Sequence, residues 1–342
     1  MIPFLSAQRA LEVVSYCGLP FCFRGLAQCI ESDFSRWHAF DKSARLACHS
    51  AYGVIELMPI SDAQQYGFKY VNGHPNNEQY GLPTVMAFGV LADVKTGMPT
   101  FMSELTLTTA LRTAATSALV AKYLARANSR HMALIGNGAQ SEFQAFAFHT
   151  LLGIESFRLF DVDPHAMLKL AGHLRAQGWK VTLCSSVAEA VRGVDVVTTI
   201  TADKTKATIL TPEMIEPGMH INAVGGDCPG KTELHPEVIK QARVFVEFEP
   251  QTRVEGDIQQ MPMDFPVTEL WQLFTGRAQG RTDAAQITLF DSVGFALEDF
   301  SALRYMWKIA GERQVLDTLC LIPALENPKN LYGLLQRPQS KE

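Results

Sequence analysis

The chain has 342 residues, of which 47% are hydrophobic and 19% are charged, and its formal net charge is −5. This is the composition of an ordinary globular protein, and the chain is longer than one hydrophobic core usually fills, so two domains are expected. The negative net charge and the lack of any basic run give no indication of a nucleic-acid partner.

The cysteine and histidine patterns restrict the class of protein further. The seven cysteines are scattered and form no C-x-x-C pair, which is typical of reduced thiols in a cytoplasmic protein. The first residues lack a signal-peptide pattern, and no apolar stretch approaches the length of a membrane span. The nine histidines show no metal-ligand spacing, so we expect a cytoplasmic protein with no membrane partner and no metal.

The first third of the chain predicts a helix followed by a sheet. Leu11 and Val14, after Ser6, indicate an amphipathic helix. Apolar runs at residues 53–59, 66–71 and 84–91, with turn sequences after them, predict an antiparallel or mixed sheet. The period becomes helical between residues 108 and 127, and we expect this helix to lead out of the first domain.

A glycine turn follows that helix. Residues 131–141 read H-M-A-L-I-G-N-G-A-Q-S, and a second apolar run ends at Asp161. Gly136 permits a tight turn after a strand, and Gly138 lets a pyrophosphate approach the backbone N–H groups that begin a helix. Asp161 is placed to accept hydrogen bonds from a ribose hydroxyl and to repel a 2′-phosphate, which favours NAD over NADP. A purely structural glycine turn is the alternative interpretation.

Strands and helices alternate from residue 130 to residue 295. Beyond the glycine turn, further strands are expected at residues 180–184, 194–200, 219–224, 243–247 and 287–294. This alternation predicts an α/β fold, a Rossmann-type doubly wound parallel sheet. A helix over residues 296–313 is expected to return the chain toward the first domain.

Ligands of open α/β sheets bind beyond the carboxyl ends of the strands. Three expected loops there carry reactive residues, at 201–203, 225–227 and 291–294, and the first of them includes Asp203. Asp227 is the strongest candidate for moving protons on and off a substrate amine, because the two preceding glycines let the backbone lie against a cofactor. An aspartate that only caps the next helix is the open alternative.

Three cations in the first third lie among small or apolar neighbours. Arg45, Lys69 and Arg112 are candidates for binding an anion, since arginine binds carboxylates in bidentate fashion. The alternative for each is a surface cation whose stem covers apolar residues. Glu56, inside an alternating apolar strand, is either a partner for a cationic amine or a solvent-facing residue.

Five motifs together resemble the ornithine cyclodeaminase and μ-crystallin family, with its bacterial ornithine cyclodeaminase branch the most similar. They lie at residues 68–75, 109–115, 135–141, 222–234 and 290–294. The resemblance implies a homodimer. It also implies an α+β substrate-binding and dimerisation domain formed by residues 1–117 and 305–342, and an NAD-binding Rossmann domain at residues 118–304.

The resemblance also implies roles for individual residues. Arg45, Lys69 and Arg112 would hold the α-carboxylate of the substrate, and Asp227 would accept and return a proton. Other implied substrate contacts are Val293 and, near the side-chain amine, Glu56 and Met58. The implied cofactor contacts are Thr84, Arg112, Gly136, Gly138, Ala139, Gln140, Asp161, Thr201, Val224, Gly225, Gly226, Asp227, Lys231 and Ser292.

The implied reaction converts L-ornithine to L-proline and ammonia. Hydride leaves Cα for NAD⁺, and the δ-amine then attacks C2 of the resulting imine, an intramolecular step of high effective molarity. Ammonia departs and the same hydride returns to C2, so no net oxidation occurs. Alternatives within the family are a lysine cyclodeaminase, a ketimine reductase, an alanine-type dehydrogenase and a non-catalytic μ-crystallin-like binding protein.

Overall fold

The computed structural model describes residues 1–202 and 206–336. The strands are β1 (Ile2–Leu5), β2 (Asp41–Lys42), β3 (Leu46–His49), β4 (Val54–Ser61), β5 (Gln65–Gly73), β6 (Ala87–Asp93), β7 (Pro99–Glu104), β8 (His131–Ile135), β9 (Ser156–Phe160), β10 (Lys180–Leu183), β11 (Val196–Thr199), β12 (Lys206–Leu210), β13 (His220–Ala223), β14 (Thr232–Leu234), β15 (Arg243–Val246), β16 (Thr268–Glu269), β17 (Thr288–Asp291) and β18 (Asp317–Leu319). The α-helices are α1 (Ala7–Cys17), α2 (Leu19–Ser35), α3 (Thr106–Leu124), α4 (Ser141–Leu152), α5 (Pro164–Ala176), α6 (Val187–Val191), α7 (Pro236–Gln241), α8 (Glu249–Glu255), α9 (Leu270–Phe274) and α10 (Ala296–Glu312).

The first sheet has the order β18-β1-β7-β6-β5-β4-β2, and β3 also pairs with β4. Its neighbours are antiparallel except for β1 and β7, which are parallel. Strand β18 pairs with β1 so that Ile2 lies opposite Leu319. The antiparallel or mixed sheet expected from the apolar runs is therefore confirmed, and the last described strand of the chain completes it.

The two faces of this sheet are both apolar at β4. Met58 and Ile60 are buried on the inner face, against which α10 packs. Ile55 and Leu57, on the opposite face, are 42% and 43% exposed. An antiparallel sheet with one solvated face normally alternates apolar with polar residues, so the outer face of β4 departs from that pattern.

The second sheet is parallel throughout, with the order β10-β9-β8-β11-β13-β17-β15-β16. The strand order reverses between β8 and β11, as in a doubly wound sheet. Alternate residues of β8 enter different hydrophobic cores: Met132 and Leu134 join one, and Ala133 and Ile135 join the other. Both faces of the sheet are thus covered, and the predicted Rossmann-type α/β fold is confirmed.

Helix α3 begins and ends within a few residues of the predicted helix, and it is almost entirely buried. It packs against α2, α4 and α10 and also contacts β13 and β17. Helix α10 likewise contacts α2 and α3 as well as β4, β5 and β6. These helices form one hydrophobic core that both sheets share, and they place residues from the two halves of the chain beside one another.

Helix α2 is not among the elements expected from the sequence. Gly18, with φ +79°, separates it from α1, and Gly25 interrupts its apolar pattern. A Cβ at Gly25 would lie 2.3 Å from the ring of Tyr305, so the glycine admits close packing rather than ending the helix. Within residues 1–202 and 206–336 no single helix is long and apolar enough to span a membrane; α1 and α2 reach that limit only as a pair bent by 104°.

Candidate active site

The glycine turn after β8 has the form that a dinucleotide site needs. Gly136 has φ +93°, and a Cβ there would lie 2.7 Å from the carbonyl oxygen of Ile200. At Gly138, by contrast, no atom lies within 4 Å of an added Cβ. Gly138 and Ala139 are exposed at the start of α4, so backbone N–H groups there are open to a phosphate. The residues present therefore fit the dinucleotide that the sequence predicts.

Two side chains stabilise this turn. The carboxylate of Asp161, at the end of β9, accepts hydrogen bonds from the backbone N–H groups of Asn137 and of Asp163. Ser141 is buried, and its hydroxyl donates to the carbonyl of Gly138 at 2.6 Å. Gln140 has a buried side-chain oxygen that no hydrogen-bond donor of the described residues reaches. Asp161 therefore lies against the glycine turn, at the strand end where a ribose would be recognised.

Lys69 and Arg112 are buried and share one carboxylate. Lys69, on β5, has its ammonium nitrogen 2.8 Å from Asp299, and the Nε of Arg112, on α3, donates to Asp299 at 2.9 Å. Arg112 also donates to Glu298 at 2.6 Å through Nη1. Both acids belong to the first turn of α10. Neither cation is at the surface, so the surface alternative is wrong for both.

Arg45 lies just before β3, and its guanidinium is almost fully buried. Nη1 donates to Glu56 at 3.0 Å, and Nε is 3.0 Å from a carboxylate oxygen of Glu255. Nη2 donates to the carbonyl oxygens of Val293 and Gly294 at 2.5 and 2.7 Å. Glu56 is thus on the buried face of β4, and the solvent-facing alternative for it is wrong.

Arg45 and Arg112 meet at one turn, and Lys69 joins them through Asp299, which it shares with Arg112. Gly294 has φ +75°, and a Cβ at this position would lie 2.8 Å from Nη1 of Arg112. The carbonyl of Gly294 accepts a hydrogen bond from Arg45. Burial and the neighbouring charge of Arg112 lower the pKa of Lys69 to about 8. Burial disfavours the charged forms of both arginines, but their carboxylate partners raise the pKa of each. Such a cluster can bind a further carboxylate.

The acids that compensate these cations were not recognised in the sequence. They are Glu255, Glu298 and Asp299. Burial raises the pKa of Glu255 to about 7 and that of Glu298 to about 8, although arginines oppose the shift. The only trace of them in the sequence is the pair of adjacent acids near the start of α10, between apolar residues.

Asp227 follows β13 and is half exposed, with 53% of its side chain accessible. Its carboxylate accepts a hydrogen bond from Lys231 at 3.3 Å. The next elements are β14 and then α7, whose first turn is capped by His235. Asp227 therefore does not cap the next helix, and that alternative is wrong. Its charge also acts on Arg45 and Glu255, which places it at the same cluster.

Lys231 connects the loops after β11 and β13. Its ammonium group donates to the carbonyl of Thr201 at 3.1 Å as well as to Asp227. Burial disfavours its charge, but the carboxylates of Asp227 and Glu233 raise the pKa of Lys231. Asp203, which the sequence also placed in the loop after β11, lies outside the described residues.

Three buried carboxyl groups join the loops at this edge of the sheet. Asp291 accepts hydrogen bonds from the N–H groups of Asp257 and Ile258 at 3.0 and 2.8 Å. Asp257 accepts from the N–H groups of Glu233 and Leu234, each at 2.8 Å. Burial raises the pKa of all three, that of Asp257 to about 7. We call Asp291, Asp257 and Glu233 the carboxyl ladder.

The ladder explains the two glycines before Asp227. Glu233 accepts from the N–H of Thr201 at 2.9 Å, and a Cβ at Gly225 would lie 2.0 Å from the same carboxyl oxygen. A Cβ at Gly226 would lie 2.8 Å from Asp257. The sequence suggested that these glycines make room for a cofactor. The structure adds a different requirement, since buried carboxyl groups occupy the space where side chains would project.

The remaining predicted residues differ in how far they are exposed to solvent. Met58 lies opposite Lys69 across β4 and β5 and is buried. Ser292 is buried beside Val293, and Val224 follows β13 at the ladder. Thr84 is exposed in the loop before β6, and no hydrogen bond of its side chain joins it to the other candidates in the described parts of the chain.

Comparisons with known proteins agree with this architecture. The profile of the Ornithine cyclodeaminase/mu-crystallin family matches residues 11–313. The ornithine cyclodeaminase of Brucella suis biovar 1 (strain 1330) is 55% identical over 337 residues, 98% of this chain and 94% of that protein.

Two solved structures superpose over nearly the whole chain. One is a lysine cyclodeaminase studied for its recognition of L-lysine, L-ornithine and L-2,4-diaminobutyric acid, with a TM-score of 0.88 at 28% identity, covering 96% of this chain and 98% of that one. The other is an archaeal alanine dehydrogenase dimer with bound NAD, with a TM-score of 0.86 at 29% identity, covering 94% and 99%. The fold is therefore shared with enzymes that act on amino acids.

Proposed function

The chain belongs to the ornithine cyclodeaminase/mu-crystallin family, and from this premise we propose that it converts L-ornithine to L-proline and ammonia with NAD as cofactor. The similarity to an ornithine cyclodeaminase extends over 98% of the chain. The observation that carries the proposal is a cluster of three buried cations, in which Arg45 and Arg112 meet at the turn of Gly294. Lys69 shares Asp299 with Arg112, and the charge of Asp227 acts on Arg45.

NAD is held by the glycine turn and the neighbouring strand ends. The open backbone at Gly138 and Ala139 would bind the pyrophosphate, and Asp161 would accept a hydrogen bond from a ribose hydroxyl and disfavour a 2′-phosphate. When bound, NAD supplies the acceptor and then the donor of one hydride, so the reaction has no net redox change. The other proposed cofactor contacts are Thr84, Arg112, Gly136, Gly138, Gln140, Thr201, Val224, Gly225, Gly226, Asp227, Lys231 and Ser292.

The three cations hold the substrate α-carboxylate. Two arginines and a lysine from β5, α3 and the segment before β3 can contact both carboxylate oxygens at once. Their burial strengthens the interaction because little water competes for the same charges. Fixing the carboxylate fixes Cα, and Val293, whose carbonyl already contacts Arg45, is proposed to limit where Cα can lie.

Asp227 moves the protons. Its carboxylate is half exposed and has Lys231 as its hydrogen-bond donor, so it can accept a proton from the substrate amine and return it later. Glu56 and Met58, on the inner face of β4, are proposed to lie beside the δ-amine. Holding that amine near C2 makes ring closure an intramolecular step, and the enclosing side chains keep water from the imine.

The test is a product analysis of the purified protein. With NAD⁺ and L-ornithine we expect L-proline and ammonia in equal amounts and no accumulation of NADH. Stoichiometric NADH would indicate an alanine-type dehydrogenase, and consumption of NADH with a cyclic imine would indicate a ketimine reductase. NAD binding with no turnover of any amino acid would indicate a binding protein. L-lysine is the necessary comparison, because one methylene changes pocket fit by only about 1–3 kcal/mol.

We further propose that the chain works as a homodimer in the cytoplasm. The outer face of β4, with Ile55 and Leu57 exposed, offers an apolar surface for a second copy, since exposed apolar patches often mark protein interfaces. The scattered cysteines suit a reducing compartment. Residues 1–117 with 305–342 are the proposed substrate-binding and dimerisation domain, and residues 118–304 the proposed NAD-binding domain.

A further inference from the structure

Glu247 is a fully buried carboxylate that contacts a single turn. It lies directly after β15, and its oxygens accept hydrogen bonds from the hydroxyl of Ser292 at 2.8 Å, the N–H of Gly294 at 3.0 Å and the N–H of Val293 at 3.4 Å. A buried carboxylate is costly unless such donors surround it. All three donors come from residues 292–294, so Glu247 and this turn are fixed together.

The same turn holds Arg45. The N–H groups of Val293 and Gly294 donate to Glu247, whereas their carbonyl groups accept hydrogen bonds from Nη2 of Arg45. A second connection runs through Gln251 of α8, whose amide donates to the carbonyl of Gly294 at 2.8 Å and accepts from the N–H of Arg45 at 3.2 Å. The position of the Arg45 guanidinium therefore depends on where residues 292–294 lie.

Arg112 depends on the turn as well. Its Nη1 lies so close to Gly294 that a Cβ there would approach it to 2.8 Å. A shift of the turn by a few tenths of an ångström would change this packing and the direction of Arg45 at once. The positions of Arg45 and Arg112, two of the three cations, therefore depend on the turn at residues 292–294.

We propose that Glu247 is a positioning residue, which sets the turn at residues 292–294 and through it aims Arg45 and Arg112 at the substrate carboxylate. This inference rests on the proposed function for the identity of the substrate. The hydrogen bonds that Glu247 accepts from described side chains and loops come from this turn, while its charge also acts on Arg112. Its effect is transmitted by hydrogen bonds, and it should therefore alter substrate affinity more than the chemical steps.

The test is Glu247→Gln. The amide oxygen can still accept from Ser292 and Gly294, but the amide NH₂ then faces the N–H of Val293, so the turn loosens while the fold is retained. We expect KM for L-ornithine to rise about tenfold, the scale of a charge-assisted hydrogen bond, with kcat and NAD affinity nearly unchanged. The matched control is Glu249→Gln, the same substitution on α8 in an ion pair with Arg253, for which KM should not change.

A second readout does not depend on the substrate. Modification of Arg45 by phenylglyoxal, followed by peptide mass spectrometry, should be faster in Glu247→Gln than in the wild type or Glu249→Gln. If Glu247→Gln does not fold, Gln251→Met removes the second connection and should raise the same rate. If Arg45 is modified faster in Glu247→Gln but the wild-type protein forms no proline, only the proposed function is refuted. Unchanged KM and modification rates, or an equal loss of NAD affinity and substrate affinity, would overturn the role of Glu247.

Discussion

Lys69 remains charged in a buried position because Asp299 lies 2.8 Å from its nitrogen. Burial still lowers its pKa to about 8, so the balance between desolvation and pairing is narrow. Arg45 differs, because Glu56 and Glu255, both within 3.0 Å of its guanidinium, raise its pKa despite its burial. At this scale the site is a set of buried ion pairs between cations and carboxylates of the chain.

The sequence could identify the cations but not their partners. Arg45, Lys69 and Arg112 stand out because their neighbours are small or apolar. Glu298 and Asp299 are separated from Lys69 by more than half of the chain, and only the packing of α10 on the first sheet brings them together. Glu255 ends a seven-residue helix that has no distinctive pattern. Contacts of this kind depend on tertiary structure, which residue spacing does not encode.

Asp227→Asn tests the proposed proton carrier. An amide cannot accept the proton, so kcat with L-ornithine should fall by about 10²- to 10⁴-fold, while NAD affinity stays near that of the wild type. Ammonia release and NAD titration are the measurements. Asp264→Asn, an exposed aspartate between α8 and β16, is the control and should retain full activity. Ammonia release by Asp227→Asn at the wild-type rate would assign the proton to another group.

At the scale of elements, the strand ends of the second sheet are joined by side chains as well as by backbone. The carboxyl ladder links β14, the segment after α8 and the end of β17, and Glu233 extends it to Thr201 after β11. The sequence predicted the main strands of this sheet from stretches rich in apolar residues, and β11, β13 and β17 are completely buried. The sequence did not predict the carboxyl ladder, because an acidic residue that will be buried cannot be distinguished in the sequence from one that will be exposed.

Gly225→Ala tests the ladder. The added Cβ would lie 2.0 Å from Glu233, and relief of that overlap should lower the free energy of unfolding by about 1–3 kcal/mol. Gly138→Ala is the matched comparison, because an added Cβ there meets no atom within 4 Å. It should leave thermal stability unchanged but weaken NAD binding. Thermal denaturation with and without NAD distinguishes the loss of stability in Gly225→Ala from the weaker NAD binding in Gly138→Ala. Equal stability of the two variants would contradict the crowding at Gly225.

The whole molecule has an apolar surface that a single chain does not cover. Ile55 and Leu57 alternate with buried residues of β4, so both faces of the first sheet require apolar contact. The sequence showed the alternating strands and the glycine turn. It could not show that β18 would close this sheet, because Asp317–Leu319 is a three-residue strand with no pattern of its own.

Leu57→Lys tests the dimer. A charged side chain on the outer face of β4 would have to be buried without a partner in a symmetric interface, so the variant should be mainly monomeric where the wild type is a dimer. Light scattering coupled to size-exclusion chromatography gives the mass. Leu168→Lys, at an exposed leucine of α5, is the control and should leave the mass unchanged. A monomeric wild type, or a dimeric Leu57→Lys, would rule out this interface.

The pairing of β1 with β18 has a consequence for biosynthesis. Ile2 of β1 lies opposite Leu319 of β18 in neighbouring strands, and the parallel sheet is formed by the chain between them. On the ribosome, one edge of β1 must therefore stay without its neighbour until β18 has been synthesised and has emerged. A strand edge left open that long can pair with other nascent chains, so translation speed and chaperone supply bear on the yield of this protein.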